Sequence, residues 1–187
     1  YGIGGAKGIT GGRKGYKGAL FEGGIGVPFI ARWPGKIKAG RVDTTTMISA
    51  VDLLPTFCKV AGVELADDYV PDGVSQLEAL TGEASTGREK PLFWKMKASW
   101  PGSKQKPYHW VSYAVAHKQW KLLASRDADH FELYDLVADP YEKSDVKAEH
   151  PQVVEGLMER LTEWKASLPP GPDEKCFSSE RAERKGK

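Results

Sequence analysis

The hydrophobic rhythm of the chain changes four times. In residues 1–26 the large apolar positions are only Ile3, Ile9, Leu20, Phe21 and Ile25, with two tyrosines, while eleven of the 21 glycines fall there. Such a stretch cannot bury enough surface to fold alone. It is expected either to drape over a larger body or to serve as a flexible linker. Val27–Trp33 is then a nearly continuous apolar run. It reads as a strand buried on both faces of an α/β sheet, with Pro28 tolerated at its start and Pro34-Gly35 as the closing turn. Thr44–Ala50 has the β-branched content of a second strand. From Asp52 to Gly62 the spacing becomes helical, with Leu53, Phe57 and Val60 on one core-facing side. Asp52 serves as N-cap rather than as a catalytic carboxylate, Pro55 lies in the first turn, and Gly62 is the C′ stop. A second short helix is expected over Gln76–Leu80, ending at Thr81-Gly82.

From Pro91 the period falls to two. Four strands are predicted: Pro91–Lys95, His109–Ala116, Gln119–Ser125 and His130–Leu136. The short polar breaks between the last three favour antiparallel hairpins. Pro151 opens a longer helix whose apolar residues Val154, Leu157, Leu161, Trp164 and Leu168 recur at steps of three and four. That stripe packed on the four-stranded sheet makes an α+β layer. Pro169-Pro170-Gly171-Pro172 ends the helix. The organisation expected is residues 1–82 as an α/β part, 83–172 as a sheet-plus-helix subdomain, and 173–187 as a disordered tail.

With 187 residues, 40% hydrophobic and 28% charged, the chain is expected to be globular and water-soluble, with a core. The net charge of +2 is spread along the sequence, which argues against a nucleic-acid partner. No run approaches the roughly 18 apolar residues of a membrane span. Cys58 and Cys176 read as two free thiols and do not decide the compartment. No Walker A loop is present, and Gly2-Ile-Gly4 has Lys7 where a dinucleotide fingerprint needs its third glycine.

Candidate chemistry concentrates in Gly11–Gly35. Glycines let backbone approach a ligand, and Arg13, Lys14 and Lys17 set cations among exposed amides, an arrangement suited to sulfate or phosphate. Lys17-Gly-Ala-Leu-Phe-Glu-Gly-Gly-Ile, continuing through Val-Pro-Phe-Ile to Arg-Trp-Pro-Gly35, closely resembles the second half of type I sulfatases, the arylsulfatase family of the alkaline-phosphatase-like superfamily. The segments Asp52-Leu-Leu-Pro-Thr with Ala61-Gly62, Asp72-Gly-Val-Ser, and Glu132-Leu-Tyr-Asp-Leu with Asp139-Pro140 and Glu142 resemble it too. The likeness runs over roughly residues 11–168. It departs at Gly26, where the family often has arginine, a change expected to loosen local ion pairing.

The resemblance implies the tail end of an α/β sulfatase domain followed by a four-stranded antiparallel sheet packed by a long helix. It implies that Lys17 is an active-site residue holding the sulfate group; the alternative is an ordinary surface lysine. Lys14, Trp100 and His109 are the candidate substrate-binding residues. The last two belong to the aromatic and cationic loop Ser99–His109, which either contacts sugar rings or is simply pinned by its aromatics. Glu142 and Asp145 are expected to make local hydrogen bonds. The family's nucleophile, a formylglycine made from Cys or Ser in C/S-x-P-x-R, is absent: Cys58 is followed by Lys-Val-Ala and Cys176 by Phe-Ser-Ser. Its calcium ligands are not found either, so no metal ligand is assigned in this chain. The implied partners are a missing N-terminal sulfatase domain, over which the glycine loop would lie, and a sulfated small molecule or glycan. The implied compartment is periplasmic, extracellular or lysosomal. Alone, the chain would be inactive. A phosphatase or phosphonate hydrolase, or a non-catalytic binding module, are the alternatives.

Overall fold

The structure, a computed structural model, describes residues 10–83, 88–96 and 108–171. Its elements in chain order are α1 (Glu22–Ile25), a 3₁₀ turn (Ala50–Asp52), α2 (Leu53–Ala61), α3 (Leu77–Thr81), β1 (Leu92–Lys95), β2 (Tyr113–His117), β3 (Trp120–Ala124), β4 (Phe131–Asp135) and α4 (Pro151–Ser167).

The four strands form one antiparallel meander in sequence order. The register aligns Phe93, Val115, Leu122 and Leu133 across all four strands, and Trp94, Ala114, Leu123 and Glu132 in the next row. Period-two alternation sends these rows to opposite faces. On one face Val115, Leu122 and Leu133 pack against Leu157 and Leu161 of α4. Phe93 and Trp164 stack there with centroids 4.9 Å apart and planes 8° from parallel. The helical stripe thus does what its spacing predicts. Burying each leucine contributes about 1.5–3 kcal/mol.

The other face is covered by the glycine loop. Ala19, Leu20 and Phe21 are buried with Val111, Ala114, Leu123 and Tyr134. The loop therefore drapes over the chain's own C-terminal sheet, where the resemblance had implied a separate domain. Three apolar residues in a row would have shown this; the glycines around them obscured it.

Both strands expected in the first part are absent. Val27–Trp33 has no regular secondary structure, and Val27 and Ile30 are 79% and 91% exposed. An apolar run becomes a buried strand only where neighbours supply hydrogen bonds and two covering layers, and no described residue supplies either. Over Thr44–Ala50 the side chain of Asp43 wins instead, accepting from the Thr45 and Thr46 amides at 3.0 and 2.9 Å and from the Thr46 hydroxyl at 2.7 Å. This turn competes with extended structure. These bonds, the Thr46 amide first, hold the Asp43 carboxyl down at about 2.

Helix α2 ends at Gly62 in the left-handed conformation, as expected. Its orientation is the reverse of the expected one: Leu54, Phe57 and Val60 are exposed, while Pro55 and Thr56 are buried. The inward side is polar. The Thr56 hydroxyl donates to the Asp52 carbonyl at 2.6 Å and accepts from the Gln76 amide at 2.9 Å. Asp52 is not the side-chain cap of α2. Its fully buried carboxylate closes a capping box with Ser49, accepts from the Val74 amide at 2.9 Å, and pairs with buried Arg88.

Candidate anion-binding loop

The loop is built on close backbone contact. Gly23 N–H donates to the Lys14 carbonyl at 2.7 Å, and Ala19 N–H donates to the Tyr16 carbonyl at 2.9 Å, closing the turn that carries Lys17. A Cβ at Gly24 would lie 2.1 Å from the Ala19 carbonyl oxygen and 2.6 Å from that of Tyr16; one at Gly23 would lie 2.6 Å from the carbonyl oxygens of Lys14 and Gly15. The paired glycines therefore let α1 sit directly against the residue 14–19 backbone. Close packing between two chain segments, not approach to a ligand, requires them.

The three loop cations meet different fates. Arg13 lies 3.8 Å from Glu22 and is partly exposed, a weak pair. A Cβ on Gly26 would fall 2.6 Å from the Arg13 guanidinium, so Arg13 occupies the space that a side chain at 26 would need. The expected loosening at Gly26 is thus offset by a cation from elsewhere in the loop.

Lys14 turns inward. Its ammonium donates to the Tyr134 hydroxyl at 2.6 Å and pairs with Glu132 at 3.3 Å, and it lies 4.6 Å from the Phe21 ring centroid. Burial, and then the Tyr134 hydrogen bond to Glu132, push the phenol well above its ordinary range. Tyr134 therefore stays a neutral donor to that carboxylate. Lys17, by contrast, is exposed and makes no hydrogen bond or ion pair among the described residues. His109 packs by its ring on Tyr16, with centroids 6.3 Å apart, and Tyr16 also meets Tyr108 edge-on at 5.7 Å. The structure thus brings His109 beside the residue preceding Lys17. Trp100 and Cys176 lie outside the described residues.

Sequence reasoning missed a buried ionic cluster beneath the loop. Lys121, fully buried in β3, pairs with Glu22 at 2.7 Å and with Glu142 at 2.9 Å. Glu142 also accepts the Glu22 backbone N–H at 2.6 Å. Its contact with Lys121 is an ion pair without hydrogen-bond alignment, leaving that oxygen without a donor. Burial pushes the Glu142 carboxyl up, although Lys121 opposes this. Glu142 is therefore a long-range tether, not the local group expected. Asp145 does stay nearby, accepting from the Leu133 and Lys147 amides. One signal was available: a lysine inside the apolar run Trp-Lys-Leu-Leu-Ala must find a buried partner.

The Glu132–Glu142 segment accordingly has a structural job at six of its eleven positions. Glu132 and Tyr134 hold Lys14, and Leu133 enters the α4 core. Asp135 and Asp139 cap the following turns, and Glu142 returns to the loop. Among the described residues no group of three His, Cys, Asp or Glu side chains could hold a metal ion, and Cys58 is a free thiol on α2. The described residues do not fit the calcium or formylglycine of the implied chemistry.

Comparison with known proteins agrees with this architecture. The family described as N-sulphoglucosamine sulphohydrolase, C-terminal, matches residues 14–167. An N-acetylgalactosamine-6-O-sulfatase of Bacteroides thetaiotaomicron is 33% identical over 149 residues, covering 79% of this chain and 29% of that protein. An N-acetylglucosamine-6-O-sulfatase of the same organism is 33% identical over 155 residues, covering 80% and 26%. A structure from work on glycosaminoglycan metabolism by Bacteroides thetaiotaomicron superposes with a TM-score of 0.62 at 28% identity, covering 83% of this chain and 32% of that one. The chain spans about a third or less of the length of these relatives. With a loop-covered antiparallel sheet, a C-terminal helix and a family match across most of its length, this chain belongs to the sulfatases, as the C-terminal region of one.

Proposed function

We propose that the chain is the C-terminal part of an enzyme that hydrolyses sulfate esters of a glycan, and that Lys17 holds the sulfate group. The observation that carries this reading is the contrast within the loop: Arg13 and Lys14 are engaged by carboxylates, whereas the Lys17 ammonium is exposed and uncommitted. An ammonium donates up to three hydrogen bonds and neutralises the sulfate oxygens. It also stabilises charge that builds as the ester bond breaks. Relatives named for 6-O-sulfated N-acetylhexosamines favour a sulfated amino sugar within a glycan as substrate.

The remaining walls of the pocket, with nucleophile and metal, come in this reading from an N-terminal sulfatase domain. Val27, Ile30, Val42, Phe57, Val63 and Val70 are each more than half exposed, an amount of bare apolar surface that a covering domain would bury. The isolated chain is then inactive.

The test is sulfate release from a 6-O-sulfated N-acetylhexosamine by the full-length polypeptide carrying this chain, with the corresponding phosphate ester run in parallel. The reading expects the sulfate ester to turn over at least about 100-fold faster. Preference for the phosphate would assign a phosphatase. No turnover of either ester, nor of an aryl sulfate, would leave a binding module and refute the proposal.

A further inference from the structure

We propose that Glu142 is the positioning residue of the sulfate-binding loop, fixing the place of Lys17 through the Glu22 backbone amide. This rests on the reading of Lys17 given above.

The path is continuous and short. Glu142 Oε2 accepts the Glu22 N–H at 2.6 Å at the first residue of α1. The next two residues, Gly23 and Gly24, touch the backbone of residues 14–19 with no room for a methyl group. Ala19 and Tyr16 close the turn on which Lys17 stands. A shift of the Glu22 amide is therefore passed to the Lys17 turn through backbone contacts that cannot compress.

Three further observations single out Glu142. Its side chain is fully buried, and Lys121 at 2.9 Å holds its other oxygen while also holding Glu22 at 2.7 Å. Its backbone sits at φ +55, a conformation sparsely populated by residues with a Cβ and kept only where surrounding contacts over-determine it. The turn that presents it is locked, because the Asp139 carboxylate accepts from the Lys143 and Ser144 amides at 2.6 and 2.8 Å. Residues 120 positions apart in sequence are thus joined by one hydrogen bond at the point where the loop turns.

The test uses the full-length polypeptide, sulfate release, and amide hydrogen exchange over residues 14–24 and over α4. Glu142→Ala is expected to lower kcat about 10- to 100-fold with KM within threefold, since an ångström of misplacement carries that penalty. Exchange over residues 14–24 should quicken while α4 stays protected. Glu142→Gln keeps the reach and the acceptor but not the charge, and should stay within threefold of the parent. Glu142→Asp keeps the charge but loses the reach, and should be at least fivefold slower than Glu142→Gln. Parent-like kcat in Glu142→Ala, or equal damage from Gln and Ala, overturns the proposal. If Glu142→Ala does not fold, the ranking of Gln over Asp decides, and the reverse order overturns it. Lys17→Ala is the control for the underlying reading. If that variant turns over normally, the sulfate role of Lys17 is wrong, and exchange over residues 14–24 alone then decides whether Glu142 fixes the loop.

Discussion

Replacing Lys121 with methionine would remove the cation from beneath the glycine loop while nearly keeping its volume. In the parent the ammonium lies 2.7 Å from Glu22 and 2.9 Å from Glu142, with Lys121 and Glu142 fully buried. Without it, the two carboxylates that shared the ammonium face each other uncompensated; at a separation of roughly 5 Å and an effective dielectric of 20 the repulsion is about 3 kcal/mol. Proton uptake by Glu142, whose carboxyl burial already pushes up, is the escape, and it costs less than about 3 kcal/mol at neutral pH. The repulsion is of the size of the 3–5 kcal/mol typical of breaking a buried pair. For a chain of this length that is a fall in Tm of about 6–20 °C. Urea and thermal unfolding of the 187-residue chain, followed by circular dichroism, measure it. The deficit should shrink as pH falls towards 4.5, because protonation relieves the repulsion. The double variant Lys121→Met/Glu142→Gln, which removes one of the stranded charges, should recover at least half of it. A loss below about 1 kcal/mol in Lys121→Met, or a double variant worse than the single one, would show that the cluster is not the load carried by this lysine and refute the reasoning.

Gly24→Ala sets a methyl 2.1 Å from the Ala19 carbonyl oxygen and should lower unfolding free energy by at least about 1–3 kcal/mol. Gly156→Ala, in α4 with nothing within 4 Å, should instead raise it by about 0.5–1 kcal/mol, and equal effects at the two sites would contradict the close-packing account. Stability should also carry opposite pH signatures at two carboxylates. Glu142, facing Lys121 and Glu22, titrates above its ordinary 4.5 in the folded chain, so its contribution is complete below pH 4.5 and declines as pH rises through the raised value. The parent should therefore lose stability relative to Glu142→Gln on going from pH 4 to 7. Asp43, held at about 2, contributes above pH 3.8 and loses that contribution as pH falls towards 2, so Asp43→Asn should matter at pH 6 and not at pH 2. Its partial exposure keeps the effect below about 1 kcal/mol. Acid titration of unfolding midpoints checks both signs.

The C-terminal half was legible because its signals are local. Alternation in Tyr113–His117, Trp120–Ala124 and Phe131–Asp135, with short polar breaks, specifies a meander, and the stripe from Val154 to Trp164 specifies a helix that packs on it. The first half misled for a single physical reason. Val27–Trp33 and the apolar side of α2 carry the pattern of buried surface, yet no described residue covers them, and apolar residues such as Ile30 and Phe57 stand exposed. Propensity names the element; the partner decides whether it forms. In the loop, the cations and the glycines were visible, but the partners of Lys14, a candidate for substrate binding, were not: it pairs with Glu132 and Tyr134. The tether from Glu142 to Glu22 spans 120 residues, and no short-range pattern encodes a contact of that separation.

The most direct measurement is kcat/KM of the full-length polypeptide carrying Lys17→Ala, against the parent, on a 6-O-sulfated N-acetylhexosamine. The account predicts a fall of about 10²-fold or more, since one preorganised group facing developing charge is worth that much. A change smaller than about tenfold, in a variant with parent-like unfolding, would contradict it.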